Sequence, residues 1–105
     1  MTQASRGSVD VQVPIDHPAF AGHFPGQPLL PGVSLLAEVL EAVMRDAALS
    51  AAVGRSPRLG TVKFRAPVRP GAVISLRFDV TASAVRFDVH EADRLMASGH
   101  FERAA

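Results

Sequence analysis

Apolar and polar residues alternate with period two in five stretches of this chain and follow a helical period in one. In "SVDVQV" (8–13), Val9, Val11 and Val13 fall on one side, Asp10 and Gln12 on the other. That pattern predicts a strand with one buried face. Pro14, Pro18, Pro25, Pro28 and Pro31 exclude regular structure until position 31, because each ring removes a backbone donor and fixes φ. From Val33 to about Leu49 the chain is rich in Leu, Ala and Glu, and its polar residues Ser34, Glu38, Glu41 and Arg45 form a narrow stripe. The spacing predicts one helix buried on most of its circumference, closed by the turn residues of "GRSP" (54–57).

The remainder reads as sheet. Val62, Phe64 and Ala66 alternate with Lys63 and Arg65, and "RPG" (69–71) makes a turn. Ile74, Leu76, Phe78 and Val80 form a second alternating row, and Val85, Phe87 and Val89 a third. After "EADR" (91–94), Leu95, Ala97, Gly99 and Phe101 complete the last strand. Short turns between successive strands favour antiparallel pairing. The expected architecture is α+β, a five-stranded antiparallel sheet curled around one long central helix.

At 105 residues with 48% hydrophobic content, the chain suits one compact domain over positions 1–105; such a domain buries roughly two-thirds of its unfolded surface. It has no cysteine, which removes disulfides and thiolate chemistry. A net charge of +1, with acids and bases interspersed, argues against a nucleic-acid binder. The aromatics are Phe alone, so base-stacking platforms are poorly supported too. "MTQASRGSVD" has no apolar leader core and no run approaches a membrane span, so a cytoplasmic protein without membrane contact is expected. No two histidines have metal-ligand spacing, and neither a metal nor a cofactor is expected.

The segment "HPAFAGHFPGQPLLPGVSLL" (17–36) resembles the signature of hotdog-fold 3-hydroxyacyl-[acyl-carrier-protein] dehydratases, GHFPGxPxxPGVxxL. "VKFRAPVRPGAVISLRFDV" (62–80) is similar to the strand–turn–strand FxxPVxPGD of that family, with Ala72 where an acid is common. The resemblance spans positions 9 to 102; the first motif is long and specific, the second shared by many hotdog proteins. The chain is expected to begin close to its first strand and to lack the leading helix of longer members, and in length it is nearer to compact dehydratase-like proteins of aryl-polyene-type and polyketide-like lipid pathways. The resemblance implies a hotdog fold, a homodimer or larger homo-oligomer with the sheet extended across two chains, and an active site in a tunnel at their interface. His23 would come from one subunit and an acid from the helix of the other. The substrate would be a thioester on an acyl carrier protein or CoA.

Eliminating water from a 3-hydroxyacyl thioester requires a base at C2, an acid for the departing C3 hydroxyl, and donors for the thioester carbonyl. Histidine, with an ordinary pKa of about 6.5, serves as such a base near neutrality. The prolines around His23 restrict the backbone that carries it. Gly32 stands where the helix begins, so its unpaired N–H points outward at the positive end of the helix dipole, and the missing side chain allows close approach. In the family the glycine of PGV polarises the carbonyl, a role that falls on Gly32 here; Phe24, Pro31 and Val33 would border the bound acyl chain.

The family's helix acid falls on Ala37, which has no proton to give. Glu38 is adjacent, but one residue turns the side chain by about 100° around the helix. Glu41 is one turn on, roughly 6 Å along the axis and on nearly the same face, where many members carry a supporting Gln. Each carboxylate is a candidate, and each also reads as part of a solvated stripe, Glu41 with Arg45 as an i,i+4 pair. Three functions compete: a 3-hydroxyacyl-ACP dehydratase of fatty-acid or polyketide-like lipid synthesis, a non-catalytic hotdog protein that binds acyl carrier protein or an active homologue, and a hotdog thioesterase. Ala37 favours the second, and the HFPG signature counts against the third. His17 is expected to cap or pack its loop, and His90 and His100 to lie exposed on the polar phase of their strands. Lys63, Arg65 and Arg69 would meet an acidic carrier or a phosphate, or simply solvate the outer sheet face.

Overall fold

A computed structural model describes residues 6–13, 32–69 and 71–104. Alternation makes five strands where the sequence places them: β1 (Arg6–Gln12), β2 (Leu59–Phe64), β3 (Val73–Val80), β4 (Ala84–Glu91) and β5 (Arg94–Glu102). Two helices, α1 (Gly32–Arg45) and α2 (Ala47–Val53), lie between β1 and β2. All pairings are antiparallel, and the strand order is β1-β3-β4-β5-β2. β1 and β2 are therefore the edges.

The inward rows of the central strands form the core: Ile74, Leu76 and Phe78 of β3, and Val85, Phe87 and Val89 of β4, are buried. Leu35, Val39, Ala42 and Val43 of α1 and Leu49, Ala52 and Val53 of α2 join the same cluster. At roughly 1.5–3 kcal/mol per fully buried Val, Leu, Ile or Phe side chain, this cluster seats α1 on the sheet. Beyond the single strand face, the helix thus finds its own apolar stripe a partner.

The single helix expected from Val33 to about Leu49 is broken at Asp46. That residue adopts extended backbone angles (φ −104°, ψ 120°), and its carboxylate accepts a hydrogen bond from the Leu49 N–H at 3.0 Å, capping α2. Aspartate competes with helical backbone bonds, and as an N-cap it contributes about 1 kcal/mol. Gly54 ends α2 at φ 79°, a backbone region that only glycine adopts without strain, and its N–H bonds the Ser50 carbonyl. The stop expected in "GRSP" is where the helix ends.

Four packing expectations also change. α1 buries one face rather than most of its circumference, since Ala37, Glu41 and Met44 are exposed and Leu36 and Leu40 half-buried. Phe64 keeps the inward phase, paired with Ala97, yet is 51% exposed, because it sits on an edge strand with a neighbour on one side only. In β5 the alternation slips at a bulge between Val89 and His90, so Met96 and Ala97 are both buried and Leu95 only half-buried. His90 and His100, expected exposed, are half-buried. The Nδ1 of His90 is enclosed without a hydrogen-bond partner, and the ring of His100 lies over Gly60.

Candidate functional site

Gly32 and Val33 open α1, as the sequence places them. The first turn of the helix contains no acidic residue, so nothing there repels a partly negative oxygen from its unpaired N–H groups. His23, Phe24 and Pro31 lie outside the described residues, as does His17.

One turn further on, α1 and edge strand β1 enclose a groove of about 320 Å³ lined by Val9, Val11, Glu38, Glu41, Ala42, Arg45 and Asp46. Its floor is apolar because Val9 and Val11 carry the inward phase of β1. Its rim is charged because the polar stripe of α1 faces it. The structure thus brings Glu38 and Glu41 to one cavity. Their settings differ: Glu38 is half-buried, whereas Glu41 is exposed. Glu41 Oε1 lies 2.7 Å from Arg45 Nη2 in the expected i,i+4 pair. Such an exposed pair is worth about 0–1 kcal/mol, so the carboxylate leaves its arginine at little cost. Ala37, one turn before Glu41 on the helix, is exposed like it.

Of the basic residues that the sequence groups together, Lys63 and Arg65 line a second recess on the outer sheet face, and Arg69 does not. Arg86 and His100 complete that recess. Sequence reading did not group them because strand register, not spacing, sets His100 of β5 beside β2 and Arg86 of β4 opposite His100. No helix among the described residues is long and apolar enough to cross a membrane.

A family model described as ApeI-like, ApeI dehydratase, matches residues 1–102. The chain belongs to the ApeI dehydratase family. Among curated proteins it is similar to the 3-hydroxyacyl-[acyl-carrier-protein] dehydratase FabZ of Chlamydia trachomatis serovar L2, 37% identical over 75 residues. That match covers 62% of this chain and 46% of the relative, so the chain spans about half the length of the curated proteins it matches. Among solved structures, it superposes on the dehydratase heterocomplex ApeI:P from Xenorhabdus doucetiae with a TM-score of 0.78 at 23% identity, over 97% of this chain and 89% of that one. An uncharacterized protein from Erwinia carotovora gives 0.73 at 30% identity, over 94% and 82%. The five-stranded antiparallel sheet with α1 against one face is the hotdog fold that the sequence implied.

Proposed function

We propose that this chain is a 3-hydroxyacyl thioester dehydratase of fatty-acid or polyketide-like lipid synthesis, acting in the cytoplasm on acyl carrier protein or CoA thioesters. The observation that carries the reading is the family match over residues 1–102, which contains the uninterrupted "GHFPGQPLLPGV" (22–33) leading into α1 at Gly32. His23 takes the C2 proton, and the electron pair of that C–H bond becomes the second bond between C2 and C3. The C3–O bond breaks, and the hydroxyl leaves as water with a proton from Glu41. The Gly32 N–H holds the thioester oxygen while negative charge builds on it. Phe24, Pro31 and Val33 border the acyl chain. Glu41 is the preferred donor over Glu38 because it shares the exposed side of α1 with Ala37, the position of the family's acid.

An exposed side of α1 suits a site completed by a second subunit. The β2 edge supports pairing with one: Leu59 is 44% and Phe64 51% exposed, both on the strand face that carries the core, beside an edge with unpaired backbone groups. Covering two such side chains contributes roughly 1.5–3 kcal/mol each. The wild-type protein is expected to run as a dimer in light scattering and the Leu59→Lys/Phe64→Glu variant as a monomer; identical masses would place the interface elsewhere.

A second reading rests on Ala37. A chain without the family's acid serves equally as the acid-free member of a mixed pair with a homologue that carries one, and the heterocomplex named for the Xenorhabdus relative supports that arrangement. The deciding experiment incubates purified protein alone with 3-hydroxyacyl-carrier protein and follows the 2-enoyl product by mass. Turnover by the chain alone supports the dehydratase reading. Carrier binding without turnover supports the mixed pair.

A further inference from the structure

On the sheet face turned away from α1, a recess of about 180 Å³ gathers Lys63, Arg65 and Arg86 with the hydroxyls of Thr61 and Ser98. Strand register builds it. Lys63 of β2 stands opposite Ser98 of β5, and His100, two residues further along β5, stands opposite Arg86 of β4. The imidazole of His100 is held against β2 because Gly60 has no side chain; a Cβ there would run into the ring. The recess includes one carboxylate, Asp88; strand register sets it opposite Arg77 and likewise sets Arg86 opposite Asp79, so the offsets on the β3 side balance.

None of the three cations forms an ion pair or side-chain hydrogen bond among the described residues. Lys63 faces Ser98 rather than a carboxylate across its strand pair, and three cations against the one carboxylate of the recess leave an excess of positive charge that a bound anion relieves. The two guanidinium groups match phosphate oxygens in pairs, and the ammonium acts as a point charge. Hydroxyls and an imidazole add directional contacts. The volume falls below the roughly 300–1,000 Å³ of sites that enclose a whole small molecule, so the recess fits a head group.

We propose that this recess binds the phosphate or diphosphate group of a small molecule, with the rest of the ligand in solvent. The site is separate from the α1–β1 groove and does not depend on the dehydratase reading. Inorganic pyrophosphate is the probe, titrated calorimetrically into the full chain, with the His100 ring signals followed by NMR. Saturable one-to-one binding is expected, with movement of those signals. The Lys63→Gln/Arg65→Gln variant should bind at least about ten-fold more weakly, as expected when charge-assisted hydrogen bonds are lost. Both positions are exposed, so the fold survives the change. Arg94→Gln, at an exposed cation beyond the recess, should bind as wild type. Non-saturable uptake, or equal weakening in the double variant and Arg94→Gln, would overturn the proposal.

Discussion

His23→Ala is expected to lower the rate of enoyl-thioester formation by about 10²–10⁴-fold, the usual contribution of a positioned base, while leaving carrier-protein binding in place. No other histidine lies in "GHFPGQPLLPGV" (22–33), and a water molecule in place of the ring is a far weaker base near neutrality. On the proposed reading, binding rests on the acyl chain and carrier surface rather than on the ring, so the loss should appear in kcat and leave KM within a few-fold. Glu41→Gln should lose about 10²-fold or more by the same reasoning, with Glu38→Gln close to wild type. The opposite ranking would move the acid to Glu38, and undiminished turnover by His23→Ala would remove the ring from the reaction. Ala37→Glu supplies an internal check. On the proposed assignment of Glu41 as donor, a second carboxylate one turn away should add little; a large gain in rate would mean that the natural chain lacks an acid.

The elements that alternation defines were legible because burial on one side of a pleated strand leaves its imprint locally. Ile74 to Val80 and Val85 to Val89 needed no knowledge of their neighbours. What escaped was non-local or competitive. The helix break at Asp46 hides inside an apolar run, and only the contest between a side-chain cap and continued helical bonding decides it. Phe64 carries the same sequence signal as Phe78, yet one is half in solvent and the other buried. Their difference is the strand order, which places β2 at an edge and β3 inside. The bulge before His90 shifts Met96 into the core by the same kind of pairing detail.

The candidate site divides in the same way. The histidine–proline motif and the glycine at the helix start were readable, since each has a fixed place along the chain. That Glu38 and Glu41 share a groove with Val9 and Val11 was not, because β1 lies far from α1 in sequence and meets it only in the fold. The outer recess shows this most clearly: Lys63 and Arg65 are near each other along the chain, but Arg86 and His100 reach them through two strand pairings.

Phe87→Ala should cost about 3–5 kcal/mol of stability, a large share of the roughly 5–15 kcal/mol that holds a domain folded. Phe87 is 2% exposed, and its ring lies 5.5 Å from that of Phe101 between centroids, tilted by 40°. It also covers its cross-strand partner Gly99: a Cβ there would approach Phe87 Cζ to 2.7 Å and the Thr61 carbonyl to 2.9 Å. The ring thus occupies the space that glycine leaves, as aromatic residues do opposite strand glycines. Removing it opens a cavity against Gly99, which has no side chain to fill the space. At about 4–8 °C per kcal/mol for a domain near this size, the midpoint of thermal unfolding should fall by more than about 12 °C. Val73→Ala, at a side chain 52% exposed, should stay within about 0.5 kcal/mol of wild type. Gly99→Ala should destabilise by about 1–3 kcal/mol through overpacking. Combined with Phe87→Leu, which shortens the ring that the new methyl meets, it should cost less than the two changes summed. Strict additivity would show that ring and glycine do not share the space assigned to them.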